Sequence, residues 1–276
     1  MSAPAVIAIE WPRKYPLAGI GVSAVEMPEA LDVVFRAARQ RSPSIVGHLA
    51  VNNLIHAIAL PEFGRVINAF NLVTTDGQPI RLSLNFLRHT ALRTRVTARE
   101  MMLAICARAE HEALAVYLYG DEALTQESLR RKLLQRFPRL RIVGGEASLF
   151  RPLTGAESDG LVDRLNASGA HFVFVALGCP LQEQFAFDHR NRVDAVQLCV
   201  GAAFKMLAGE RSVAPQWMQA LCLEWLYRCL QDPRRLFWRY ARTNTIFLSM
   251  AAAAVAARGA KKVAAVWARL RYGGTA

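Results

Sequence analysis

The sequence predicts an α/β protein: a mostly parallel sheet with helices on both faces, followed by a helical, basic C-terminal appendage. Three observations carry that expectation. Apolar runs of strand length alternate with helix-like segments through the first 214 residues, the pattern of a sheet built from β–α units. The run Phe172-Val-Phe-Val-Ala-Leu-Gly178 is apolar and rich in β-branched and aromatic residues, as a strand buried on both faces must be. Beyond Pro215 the alternation stops and helix-like segments follow one another.

In chain order, residues 29–40 have helical spacing, and 45–51 form a short strand ending at Asn52-Asn53. A brief helix runs to Leu60 and stops at Pro61; residues 65–74 look like another strand, closing on Thr75-Asp76-Gly77. Thr97-Ala-Arg-Glu100 has the spacing of a capping box and opens a helix carrying Met101, Met102, Ile105 and Cys106. A strand over 114–119, a helix over 121–137, a strand over 139–143 and a helix over 158–168 follow. The 172–178 strand leads through Cys179 into Pro180, which suits the first position of a helix reaching about residue 190; a last strand covers 195–200. Residues 216–231 read as a helix broken at Pro233, and 234–272 as another. These shifts divide the chain into an α/β domain, 1–214, and a helical appendage, 215–276.

With 276 residues, 53% hydrophobic and 20% charged, the chain describes a globular protein with a sizeable core. Its five cysteines are odd in number, lie mostly in apolar stretches and show no C-x-x-C spacing, so buried reduced thiols are expected. Residues 1–10 lack the charged start and long apolar core of a secretory signal. The net charge of +12 is concentrated: residues 233–276 carry nine Lys/Arg and no Asp or Glu. Arg235, Arg239 and Arg242 share one helix face, and the apolar stretch 245–257 is shorter than the roughly 20 residues a membrane span needs. Such a tail suits an anionic membrane surface. A helix packed on the body with its arginines in water, or a nucleic-acid contact, would leave the same pattern, although no DNA- or RNA-binding motif is present.

Three strand ends collect polar residues where an open parallel sheet binds ligands: Asn52-Asn53, Thr75-Asp76-Gly77 and Gly178-Cys-Pro-Leu-Gln-Glu183. Gly178 allows close approach to the strand end, and the following helix start offers free N–H groups to an anion. Each signal has a plainer explanation. Asp76 could be a turn residue, Asn52 a helix cap, and Gln182 and Glu183 first-turn residues that complement a helix dipole. There is no G-x-G-x-x-G, Walker A, H-E-x-x-H, Cys/His cluster or Asp-x-Asp pair, so neither a cofactor nor a metal is expected. An anionic leaving group would then need arginines and helix starts.

Taken together, several stretches resemble the WecG/TagA/CpsF glycosyltransferase family (glycosyltransferase family 26). They are Ala50-Val-Asn52, Asn71-Leu-Val-Thr-Thr-Asp-Gly77, Arg95-Val-Thr-Ala-Arg-Glu100, Val175-Ala-Leu-Gly-Cys-Pro-Leu-Gln-Glu183, Val200-Gly-Ala-Ala-Phe204 and Ala214-Pro-Gln-Trp217. Leu223-Glu-Trp-Leu-Tyr-Arg228 continues to Pro233-Arg-Arg-Leu-Phe-Trp-Arg-Tyr240, so the resemblance covers roughly 20–240 in order. It implies a Rossmann-like sheet and transfer of a sugar, with inversion and without a metal, from a UDP-sugar to a polyprenyl-diphosphate-linked acceptor in surface polysaccharide synthesis. It assigns Asp76 as general base, Gln182 to donor or acceptor and Arg95 to diphosphate charge. Asn52, Asn53, Thr75, Gly77, Gly178, Pro180, Glu183 and Gly201 become binding positions. Arg228, Arg235 and Arg239 best match the arginines the family's appendage brings to the site at the bilayer.

The implied location is the cytoplasmic face of the inner membrane, held peripherally; a homo-oligomer is compatible with it, and nucleic acid is not an expected partner. The sequence departs from the family at Ala50, where the family has threonine, at Ala98-Arg-Glu100, and at Gln78-Pro-Ile-Arg81. These departures leave the donor open between an N-acetylmannosamine type and a hexose. The missing threonine also admits a non-catalytic scaffold or regulator of polysaccharide assembly with the same fold.

Overall fold

A computed structural model describes residues 8–272, without the side chains of 235 and 258–272. A hairpin, β1 (Lys14–Leu17) and β2 (Ile20–Ser23), precedes the six strands of the central sheet. These are β3 (Ser44–Leu49), β4 (Leu72–Thr75), β5 (Ala115–Gly120), β6 (Arg141–Glu146), β7 (Phe172–Ala176) and β8 (Val196–Cys199). They pair in the order β4–β3–β8–β7–β5–β6, all parallel, giving the α/β Rossmann-like sheet expected from the alternation. β3 leads outward to β4 on one side, β5 and β6 lie on the other, and β7 and β8 fill the middle. Diverging chain directions across a parallel sheet open a crevice at the strands' carboxyl ends.

The connecting helices are α1 (Met27–Arg39), α2 (Val51–Ala59), α3 (Pro61–Asn68), α4 (Gln78–Arg88), α5 (Ala98–His111), α6 (Ala123–Arg136), α7 (Gly155–Ala167), α8 (Leu181–Asp188) and α9 (Ala203–Leu207). Period-two alternation along β7 explains the two-sided core. Phe172, Phe174 and Ala176 pack with α1, α5 and α6, whereas Val173 and Val175 pack with α7. Phe35 of α1 meets Phe172 with ring centroids 5.0 Å apart. Each such buried ring contributes on the order of 1.5–3 kcal/mol. The hairpin covers the sheet's β4 edge: the Ser23 hydroxyl accepts the Val73 N–H at 3.2 Å, and Lys14 Nζ donates to the Asn68 carbonyl, also at 3.2 Å.

Several boundaries differ from the expectation. The strand expected over 65–74 begins late: residues 65–68 belong to α3 and the strand starts at Leu72. Phe63, Val66 and Ile67 recur at i, i+3 and i+4, all buried, so the helical period governs there and only Leu72–Thr75 is strand. The brief helix before Pro61 ends at Ala59 as expected, and Pro61 also opens the next helix. Pro180 is the cap of α8, not its first residue, and is preceded by a cis Cys179–Pro180 peptide. Thr97 accepts the Glu100 N–H at 3.2 Å, as expected, but its own hydroxyl donates back to the Glu100 carboxylate at 3.0 Å. The full capping box stands instead at Thr154 and Glu157, opening α7.

The helix expected over 216–231 is two, α10 (Gln216–Ala220) and α11 (Glu224–Gln231), because Cys222 adopts φ 61° between them. α12 (Pro233–Tyr272) follows. It packs against α11 and α2; Leu236 and Thr243 are buried, and the Trp225 and Tyr240 rings lie 6.1 Å apart. Among the described residues, no helix is long and apolar enough to cross a membrane.

Candidate active site

A cleft of about 750 Å³ lies along the carboxyl ends of β3, β4, β7 and β8, roofed by α11 and the start of α12. Its size falls in the range of small-molecule sites, about 300–1,000 Å³. Ala50–Asn53, Gly77–Pro79, Thr97–Glu100, and Gly178, Cys179 and Gln182 border it, so the starts of α2, α4, α5 and α8 converge there. Unpaired N–H groups at helix starts favour an anion.

Asp76 follows β4 directly, its N–H still pairing with the Leu49 carbonyl at 3.1 Å, and Gly77 caps α4. The Asp-Gly pair is thus a strand-to-helix junction at the cleft, not a surface turn. Burial raises the Asp76 pKa to about 6, against the pull of Arg228 and Arg95, while Glu224 and Glu100 add to the rise. A carboxylate with that pKa is poised to accept a proton near neutral pH.

Arg95 meets Asp76 from the segment before α5. Its Nη1 donates to the Asp76 carbonyl at 3.2 Å and to Glu224 Oε2 at 2.7 Å, and its Nη2 to Gln219 Oε1 at 2.5 Å. Arg228 reaches the same carboxylate from α11, its Nη2 donating to Glu224 Oε1 at 2.9 Å. Arg239 also borders the cleft. The Arg235 side chain lies outside the described residues, as do the basic side chains from Arg258 onward.

The opposite wall is built around α8. Gln182 faces the cleft; its Nε2 donates to Glu183 Oε1 at 3.0 Å, which leaves Oε1 of Gln182 buried without a partner. Asn53 Nδ2 donates to the same Glu183 oxygen at 3.1 Å. Glu183 itself is 2% exposed and sits behind the lining, its carboxyl pKa pushed up by burial. It fixes which way both amides point. Gly178 and Gly201 border the cleft with φ values of 77° and 48°, in the left-handed region that favours glycine. A Cβ on Gly201 would come within 3.0 Å of Gln182 Oε1, whereas nothing lies within 4 Å of one on Gly178. At Gly178 the positive φ favours glycine, and the space where a Cβ would stand is open to the cleft. Asn52 lies in the first turn of α2, where Ala50 is the cap. Thr75 and Pro180 do not reach the cleft surface.

Sequence reasoning overlooked His48, Gln219, Glu224 and Glu100. His48 borders the cleft, and its Nδ1 lies 2.7 Å from the Thr74 hydroxyl, which donates to the Val96 carbonyl at 2.8 Å. That hydroxyl must accept from Nδ1–H, leaving Nε2 as a buried acceptor without a partner. Burial lowers the ring's pKa to about 4, so it is neutral. His48, Thr75, Gln182 and Glu183 account for four of the five buried polar atoms left unpaired among the described residues, and all four lie at these strand ends or α8. Buried polar atoms are otherwise satisfied, so this concentration marks a site rather than a core. The i, i+4 spacing of Glu224 and Arg228 was the one local clue to the roof. Across residues 15–261, the sequence matches the Glycosyl transferase WecG/TagA/CpsF family.

Proposed function

Because the chain belongs to the WecG/TagA/CpsF glycosyltransferase family, we propose that it moves a sugar from a UDP-sugar to a polyprenyl-diphosphate-linked glycan with inversion. Membership itself makes it a glycosyltransferase of cell-surface polysaccharide biosynthesis, a class that takes a nucleotide-sugar donor and a lipid-linked acceptor. The observation that carries the finer statement is the pairing of Asp76, its pKa raised to about 6, with Arg95 and Arg228 in one cleft.

In this proposal Asp76 takes the proton of the acceptor hydroxyl as its oxygen attacks the anomeric carbon. The new C–O bond forms as the bond from that carbon to the diphosphate oxygen breaks, and UDP leaves with the bonding pair. Arg95, Arg228, Arg239 and the helix starts carry the charge that accumulates on the diphosphate, so no divalent ion is required for it. Gln182 and Asn53, aimed by Glu183, offer carbonyl oxygens to sugar hydroxyls. An N-acetylmannosamine-type sugar or a hexose is the proposed donor. The lipid-linked acceptor arrives from the cytoplasmic face of the membrane, where the basic helix α12 and its exposed aromatics hold the protein peripherally. Support for that placement is the pairing of exposed Trp217, Trp225, Phe237 and Trp238 with Arg234, Arg239 and Arg242 on the same arm.

The test is a panel of UDP-sugars presented with a polyprenyl-diphosphate-linked acceptor in anionic vesicles. One donor is expected to give a product heavier by one sugar, with UDP released. UDP release with no glycosylated lipid, or no turnover with any donor, would overturn the proposal.

A further inference from the structure

The roof of the cleft contains a carboxylate that the proposed chemistry does not use. Glu224 places one oxygen 2.7 Å from Arg95 Nη1 and the other 2.9 Å from Arg228 Nη2. Arg95 comes from the α/β body and Arg228 from α11, so one carboxylate ties together two distant segments, and Arg95 also donates to the Asp76 carbonyl. A two-oxygen anion between two guanidinium groups has the form of a phosphate in an arginine clamp. Burial pushes the Glu224 pKa up, but Arg228 and Arg95 hold it below the ordinary carboxylate range, so it is charged.

We infer that Glu224 is a placeholder anion: it holds Arg95 and Arg228 in the diphosphate subsite until the donor's phosphates displace it. The inference rests on the proposal that a diphosphate donor binds this cleft. A diphosphate carries more charge and more acceptor oxygens than a carboxylate, so it competes successfully for the same two guanidinium groups. Glu224 keeps those groups pre-aimed, which reduces the ordering that donor binding must impose, and opposes binding until it leaves. It is a positioning residue. It touches no reacting atom and acts through the arginines.

Competition gives the test its sign. A glutamate that merely braces the roof would, when removed, weaken anion binding; a placeholder, when removed, strengthens it. Glu224→Gln keeps the shape and removes the charge. Glu224→Asp keeps the charge but is too short to bridge both arginines, and it serves if the first variant melts early. Titration calorimetry on the full chain with UDP and with inorganic pyrophosphate is expected to show roughly three- to tenfold tighter binding of both probes by either variant. In steady state the donor KM is expected to fall together with kcat, because the arginines are no longer held in place. Unchanged or weaker binding of both probes overturns the placeholder, and leaves the donor proposal standing if the wild type still transfers sugar from UDP. Tighter pyrophosphate binding without any UDP binding upholds the placeholder and removes the uridine donor. No binding of either probe by any of the three proteins overturns both.

Discussion

In the α/β body Phe35, Phe172 and Phe174 are fully buried, whereas in the C-terminal helices Leu230 is 71% and Trp238 77% exposed. The same kinds of side chain do opposite work in the two regions. In the body they stabilise the sheet by leaving water. In the arm they remain in water beside arginines, an arrangement that gains free energy only when another surface covers it. The cleft lies between the two: Asp76 comes from the body, and the arm's α11 and α12 roof it. In the proposed function, the body supplies the base and the arm supplies membrane contact together with two of the arginines.

The largest expected effect isolates the body's contribution. Asp76→Asn should lower kcat by about 10²–10⁴-fold, the range for loss of a general base, with UDP affinity retained. Turnover near the wild-type rate would remove Asp76 from that role. Next comes a direct contrast of the two aromatic populations. Phe174→Ala should cost about 3–5 kcal/mol of stability in denaturant unfolding. Trp238→Ala should leave stability within about 0.5 kcal/mol and instead weaken binding to anionic vesicles. If Trp238→Ala destabilises the fold as strongly, or leaves vesicle binding unchanged, the arm is ordinary core and the comparison fails.

The smallest effect is the pH dependence of stability. The folded-state pKa of Asp76, about 6, lies above its ordinary value of 3.8, so the folded protein binds that proton more tightly than the unfolded chain. Stability from this group is therefore present below pH 3.8 and lost as pH rises through 6. Asp76→Asn should be more stable than wild type by roughly 1–3 kcal/mol at pH 7.5, and no different at pH 3.5. Equal stability at both pH values would show that the carboxylate is not strained by its position. The same pKa predicts that wild-type kcat/KM falls below pH 6, as Asp76 takes up its proton.

Much of this architecture was legible in the residues. The fully apolar β7, the junction after Gly178 and the polar strand ends are local patterns, and local sterics and burial decide them. The misread stretch 65–74 shows the limit of that approach. Val66 and Ile67 favour strand by type, yet with Phe63 they form the buried stripe of α3, and packing under the sheet's β4 side selected the helix. Likewise, Cys222 gave no hint in sequence of the positive φ that separates α10 from α11.

By itself the sequence determined the sheet, the strand ends that carry Asp76 and Gln182, and the separation of a basic arm from a nearly neutral body. Periodicity and composition encode which residues leave water, and those are properties of neighbouring positions. Only the tertiary structure decided that Glu224 lies between Arg95 and Arg228, that Glu183 orients Asn53 and Gln182 from behind the cleft, and that His48 presents an unpaired acceptor. The Arg95–Glu224 contact spans 129 positions and the Asn53–Glu183 contact 130. A hydrogen bond between groups so far apart depends on where the whole chain brings them, and no local pattern carries that information.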